Sequence, residues 1–268
     1  MRLLVVFAHP DDETMLCGGT LALLAHLGVD VHYLSATRGE GGDLGTPPLC
    51  TRDQVGATRE AELACAVSAL GGSSLHFLDY IDPLVGENDT LYEFAGEDLF
   101  VAKTIYQELL DGFDMVLTHG TNGEYGHPAH KKVNRCVNQA VFMLPPGHRP
   151  LLYTFQGAFA DHPKPHLMNR DDPAHIVLDI HEVADIKLAA IACHRTQHAL
   201  FLRHAEPDQA GKTTLSQALV FLESLHRVYP PADQLPLDDR LTRLLTGVPG
   251  ITLLERFSIP IESSPDHH

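Results

Sequence analysis

The stretch Leu3-Leu4-Val5-Val6-Phe7-Ala8-His9-Pro10-Asp11-Asp12-Glu13 runs from unbroken apolar sequence straight into four ionisable side chains. The apolar run, Leu3 to Ala8, suits a strand buried on both faces, as in a parallel sheet covered by helices on each side. Working outward, Thr20 to Leu27 reads as a short helix and Val29 to Ala36 as a second strand. Asp53 to Leu70 carries Ala and Leu at helical spacing and stops at Gly71-Gly72. A third strand follows at Leu75 to Tyr80, then a helix from Glu97 to Leu110 closed by Gly112, a fourth strand at Met115 to His119, and a helix from Pro128 to Met143 stopped by Pro145-Pro146.

Strands alternating with helices predict right-handed crossovers in an α/β fold: a Rossmann-like, mostly parallel sheet with helices on both faces. Beyond Pro150 the pattern is less regular. Strands are expected at Leu151 to Phe155, His175 to Ile180 and Thr252 to Ile259, and helices at Glu182 to Arg203 and Thr214 to His226. With no repeat or low-complexity linker in view, residues 1–268 are expected to form a single α/β domain, its core about 1–150 and its C-terminal extension about 151–268.

Hydrophobic residues make up 44% of the 268 residues and charged residues 20%, the balance of an ordinary globular protein. No stretch reaches the roughly 20 apolar residues that cross a bilayer, and the opening apolar run is too short for a secretory leader, so a cytoplasmic protein without a membrane partner is expected. A formal net charge of −16 repels phosphate backbones and excludes nucleic acid as a natural partner. The five cysteines (Cys17, Cys50, Cys65, Cys136, Cys193) are odd in number, form no Cys-x-x-Cys pair and mostly sit in apolar stretches, so buried thiols without assigned chemistry are expected. Association into a homo-oligomer is left open.

In open α/β sheets ligands bind beyond the C-terminal ends of the strands, where strand order reverses; in the common order the first and fourth strands flank that crevice. His9, Asp11, Asp12 and Glu13 follow the first strand; the fourth leads into His119-Gly120-Thr121-Asn122-Gly123-Glu124-Tyr125-Gly126-His127-Pro128-Ala129-His130. Catalytic zinc takes three N or O ligands and keeps a fourth position for a water that it acidifies. Two imidazoles and a carboxylate meet that need, leaving a second carboxylate as general base and a second imidazole as acid. Residue type does not say which member of each pair ligates. Taken singly, His-Pro-Asp-Asp is more often a capped helix start and His-x-x-His a surface feature; it is their meeting at adjacent strand ends that favours a metal. Dinucleotide binding is disfavoured, because it needs a Gly-rich turn where this chain has carboxylates.

At these residues the chain resembles the PIG-L (LmbE-like) family of zinc N-deacetylases, which includes the deacetylases of mycothiol and bacillithiol biosynthesis. The resemblance covers roughly Leu3 to Gln197 and is strongest at Ala8-His9-Pro10-Asp11-Asp12-Glu13, where the family motif stands intact. It implies His9, Asp12 and His130 as ligands of zinc or ferrous iron, Asp11 as general base, and His127 as the residue assisting the departing amine. The family's His-Pro-Asp-His appears as His127-Pro128-Ala129-His130, so the Asp that orients the catalytic imidazole is absent. Tyr125 matches a family tyrosine placed to donate to the tetrahedral oxyanion.

Thr37-Arg38-Gly39-Glu40 and Arg59-Glu60-Ala61-Glu62 are similar to further family segments, with Arg59 implied as a substrate contact or as a partner of Glu62. Asp82 follows the third strand where relatives bind sugar hydroxyls, and His194-Arg195-Thr196-Gln197 resembles a segment that packs near the site. The implied activity is removal of an N-acetyl group from an amino sugar of N-acetylglucosaminyl type, with release of acetate. Its rivals are amidase action on a thiol S-conjugate and, from another class, a non-catalytic metal- or sugar-binding protein, against which the spare carboxylate Asp11 speaks.

Overall fold

The computed structural model describes residues 1–203, 205, 211–232 and 235–255. Ten strands and seven helices follow in chain order among these residues: β1 (Arg2–Phe7), α1 (Asp12–His26), β2 (Asp30–Thr37), α2 (Val55–Ala69), β3 (Ser74–Tyr80), α3 (Asp98–Leu109), β4 (Met115–Thr118), α4 (Pro128–Met143), β5 (Leu151–Phe155), β6 (Gly157–Ala158), β7 (Asn169–Pro173), β8 (Ile176–Asp179), α5 (Ala184–Cys193), α6 (His198–Phe201), β9 (Leu222–Tyr229), α7 (Arg240–Leu245) and β10 (Ile251–Leu253). Eight strands share one sheet in the order β10-β8-β9-β5-β4-β1-β2-β3. The pairs β4–β5, β1–β4, β1–β2 and β2–β3 are parallel, whereas β9, β8 and β10 run on antiparallel from β5. The C-terminal extension therefore continues the same sheet.

The apolar run of β1 is explained by two cores. Leu3, Val5 and Phe7 join the cluster that includes residues of α1, α2 and α5, while Leu4, Val6 and Ala8 face the other cluster, with Val101 and Ile105 of α3 and Val133 and Val137 of α4. A strand with period-two side chains can bury both sets only when helices cover each face. The order β4-β1-β2 leaves the ends of β1 and β4 side by side at the switch point, as expected.

The structure differs from the sequence reading at several places. The first helix starts at Asp12 and not Thr20, with a break at Cys17 (φ −149°, ψ 18°). Glu223 of β9 accepts the amides of Gly19 and Thr20 and the hydroxyl of Thr20, taking donors released at the break, and pairs with Lys187 at 2.7 Å. The helix expected over Glu182 to Arg203 stops at Cys193, because the next residues turn their bonds inward: Thr196 donates its amide and hydroxyl to Glu62, and His194 reaches Glu13. In place of the helix expected at Thr214 to His226 there is a short 3-10 turn, Leu215–Ala218, and then β9. Insertion between β5 and β8, supplying ladder bonds on both edges, overrides the local preference of that segment. The last strand ends at Leu253; residues 256–259 of the expected strand lie outside the described ones.

The thiol expectation also fails for two residues: Cys65 and Cys193 form a disulfide joining α2 to the end of α5. Cys17, Cys50 and Cys136 are free. Disulfides are rare in cytosolic proteins, so this bond and the cytoplasmic expectation pull in opposite directions. Among the described residues no helix is long and apolar enough to cross a membrane.

Candidate active site

The turn after β1 carries Asp11 at φ 114°, a backbone that L residues rarely adopt. Its neighbours hold it there: its amide donates to Glu13 at 2.9 Å, and its carbonyl accepts from Thr14 and Met15. Glu13 is itself fully buried and meets Nε2 of His194 at 2.9 Å. The twist throws the Asp11 and Asp12 carboxylates to different sides. Asp11 lies 3.2 Å from Nη2 of Arg59, and Asp12 turns inward to His9, His119 and His130.

Around Asp12 the contacts are close. One oxygen accepts the amide of His9 at 2.8 Å and lies 3.4 Å from His9 Nδ1; the other lies 3.2 Å from Nε2 of His130. His130 is fully buried, its Nδ1 committed to Glu124 at 2.6 Å, so its ligand-competent atom is Nε2. Nε2 of His9 and Nε2 of His130 are both buried without a hydrogen-bond partner among the described residues. Ligand atoms of His9, His127 and His130 fall within 4.8 Å of one another, as do those of Asp12, His119 and His130. Orphaned imidazole nitrogens beside a carboxylate are what a divalent ion with N/O ligands would satisfy, and the residues present fit one. The two groups share His130, with His9 in one and Asp12 in the other.

His119 is held by bonds of its own. Its Nε2 accepts the amide of Ala8 at 3.0 Å, its Nδ1 faces Glu124 at 2.9 Å, and against burial Glu124 and Asp12 raise its pKa to about 9. Glu124, fully buried at its carboxyl, accepts from the Nδ1 atoms of His119 and His130 on one oxygen and from the Gly120 amide and Asn169 Nδ2 on the other. Burial alone would push this carboxyl up, but the two imidazoles hold it at about 2. This carboxylate thus supports His130, and does not replace the missing Asp beside His127. Sequence reading gave His119 and Glu124 no role; an acid six residues before His130 leaves no periodic signal, since the irregular turn between them brings the two together.

His127 caps α4, its Nδ1 accepting the amide of Ala129 at 3.2 Å. The remaining proton of the neutral ring is then on Nε2. Burial and the neighbouring imidazoles of His9 and His130 depress its pKa to about 2. Ala129 is buried in the apolar cluster with Val6 and Ala8, so no carboxylate stands there to favour an imidazolium. Tyr125 is half exposed, its ring edge-on to those of His127 and His130 at 5.6 and 5.5 Å.

Arg59 is buried, and its guanidinium is committed to the carbonyls of Gly39 and Pro10 and to the Asp11 carboxylate. It packs so closely over Gly39, itself at φ 67°, that a Cβ there would lie 2.1 Å from Nη1. The alternative partner, Glu62, is occupied by Thr196. Burial drives the Asp11 carboxyl up to about 7 against the pull of Arg59. Asp82 sits with one oxygen 3.2 Å from Nε2 of His9; burial would raise its pKa, but His9 holds it below the usual range. The Thr37 to Glu40 segment ties this loop down, Glu40 accepting the amide of Asp82 at 3.0 Å. A cavity of about 400 Å³ opens over His9, Asp11, Asp12, Arg59, Asp82, Tyr125 and His127.

Comparison with known proteins agrees with this geometry. The chain is 31% identical over 227 residues to the 1D-myo-inositol 2-acetamido-2-deoxy-alpha-D-glucopyranoside deacetylase of Mycobacterium sp. strain KMS, covering 73% of this chain and 74% of that one. It is 32% identical over 219 residues to the probable N-acetyl-alpha-D-glucosaminyl L-malate deacetylase 2 of Bacillus cereus, covering 80% and 92%. The solved structure of GalB, the 4-carboxy-2-hydroxymuconate hydratase of Pseudomonas putida KT2440, shares the fold at a TM-score of 0.55 and 23% identity, covering 86% of this chain and 97% of that one. The family model described as PIG-L, GlcNAc-PI de-N-acetylase, matches residues 4–141, and with that span and those relatives the chain belongs to the PIG-L family of deacetylases.

Proposed function

We propose that this protein is a metal-dependent N-deacetylase that removes the acetyl group from the nitrogen of an N-acetylglucosaminyl substrate and releases acetate. One observation carries the reading: the Nε2 atoms of His9 and His130 lie beside Asp12, each buried without a hydrogen bond among the described residues and each 3.2 Å from a carboxylate oxygen, while the Asp11 carboxylate, its pKa near 7, lines the cavity with His9 and Asp12. A shared fold with a hydratase does not fix the chemistry, so the reading rests on these residues and on the deacetylase names of the relatives.

His9, Asp12 and His130 would hold the ion, zinc by the preference of two imidazoles and a carboxylate or ferrous iron, and it would supply Lewis acidity and an acidified water. Asp11 takes the proton of the attacking water; a base with pKa near 7 is matched to neutral pH. Arg59 fixes the direction of that carboxylate. The Tyr125 phenol donates to the oxygen of the tetrahedral adduct. As the C–N bond breaks, the proton held by Asp11 passes to the amine nitrogen, and His127 assists by donating from Nε2 as a neutral imidazole. With Ala129 beside it, His127 acts as a donor and not as an imidazolium acid. Asp82 accepts from a sugar hydroxyl beside His9.

The test couples metal analysis of the purified protein to acetate release from N-acetylglucosamine and its glycosides. About one equivalent of zinc or iron and metal-dependent acetate release are expected. His130→Ala should lose the metal; a variant that keeps both metal and turnover overturns the ligand assignment.

A further inference from the structure

Resting on that reading, we propose that the substrate carries a neutral apolar group, aryl or alkyl, on the sugar, bound by a wall that the loop after β3 builds at the mouth of the cavity. Beyond Asp82 the lining changes character, to Pro83, Val85, Leu91 and Tyr92 from this loop and Leu200 from α6 across from it. Val85 and Tyr92 are each 49% exposed and Leu200 is 39% exposed, so together they present a contiguous apolar face to the cavity mouth.

The wall is held in place. At one end the Asp82 amide is tied to Glu40, and at the other Phe94 is buried to 1% in the core. Between them the Gly86 amide donates to the Thr90 carbonyl at 2.8 Å, and the Thr90 amide and hydroxyl return to the Glu87 carbonyl. Tyr92 folds back over Gly86, where a Cβ would lie 2.5 Å from its hydroxyl. A pre-ordered apolar surface binds without first paying the entropy of ordering.

The mouth's charges decide between kinds of aglycone. Asp43, Asp89 and Arg203 line it, and Arg59, the other described cation of the cavity, is committed to Asp11. Two carboxylates against one guanidinium disfavour a dicarboxylate, and Val, Leu and Tyr side chains offer few partners for the hydroxyls of a polyol, whose desolvation would go unrepaid. An aryl or alkyl group meets neither obstacle and gains ring contact with Tyr92.

The experiment compares the metal-loaded protein on the inositol, malate and phenyl glycosides of N-acetylglucosamine, reading acetate release, and in parallel measures binding of the corresponding deacetylated glycosides by calorimetry. The phenyl compound should exceed the other two by about tenfold in kcat/KM, chiefly through KM, and by about tenfold in affinity. Tyr92→Ala should bring the phenyl-to-inositol ratio toward one in both measurements, with Val85→Ser as a second probe should the first variant fold poorly. Acetate release without preference for the phenyl glycoside, or preference for malate, overturns this inference and leaves the deacetylase reading standing. If no glycoside is turned over, the deacetylase reading falls, and the binding series still decides the wall: equal affinities overturn it, a tenfold phenyl advantage supports it.

Discussion

Replacing Glu124 with Gln tests whether the buried carboxylate sets the protonation of His130, the third of the proposed metal ligands. One oxygen accepts two imidazole N–H groups and the other accepts the Gly120 amide and Asn169 Nδ2. A glutamine presents one acceptor and one donor end, so either orientation turns an NH2 toward two existing donors. Facing Gly120 and Asn169, it meets a backbone amide that cannot move and an Asn whose oxygen already accepts the Asn122 and Glu124 amides. Facing the imidazoles, it drives the His130 proton onto Nε2, the atom needed for the metal. Loss of such an outer partner typically weakens metal binding ~10- to 100-fold, or about 1.4 to 2.7 kcal/mol. Two mismatched buried donors cost on the order of 2 to 4 kcal/mol of folding stability, a fall of roughly 5 to 15 °C in Tm. Competition of the apoprotein with a fluorescent zinc chelator reads the affinity, and thermal unfolding reads the stability. A folded variant with zinc affinity within about twofold of the parent would refute the assigned role of Glu124.

Asp11→Asn should lower kcat by about 10²- to 10⁴-fold while metal content, read by mass spectrometry, stays near that of the parent; near-parental acetate release would count against the base assignment. Arg59→Gln removes the cation 3.2 Å from Asp11 and lets its pKa rise further above about 7; because the carboxylate is the working form, activity is lost as pH falls through that value, and the acid limb of the kcat/KM profile should move to higher pH. His162 is held neutral, accepting from the Lys164 amide and facing Gln156, and burial lowers its pKa from 6.5 to about 4. The unfolded chain therefore takes up a proton that the folded one refuses between those values, so the contribution of His162, on the order of 1 to 3 kcal/mol, is full above pH 6.5 and lost toward pH 4; urea midpoints across this range should fall less in His162→Gln than in the parent. Cutting the Cys65–Cys193 link, which spans 128 residues, by Cys65→Ser or by reductant should cost about 2 to 4 kcal/mol; identical melting with and without dithiothreitol would show that the bond does not form in solution.

Local pattern determined a good deal of this protein. An apolar run with charges at its end announced a buried parallel strand and a site at its tip, because a strand's side-chain period and a helix's caps are written within a few residues. The convergence of the segments that follow β1 and β4, which carry His9, Asp12 and His130, was legible from the strand order that this alternation predicts, while the choice among their ionisable residues came from the family resemblance. What only tertiary structure decided depends on partners far along the chain. Leu222 to Tyr229 is a strand because β5 and β8 offer it edges, and the first helix breaks at Cys17 because Glu223, over two hundred residues away, takes the amides that the break releases. Glu124 serves His130, Arg59 serves Asp11 and Cys65 meets Cys193, since hydrogen bonds and covalent links act over a few ångströms whatever the spacing in sequence, and that proximity is created by the packing of the whole chain.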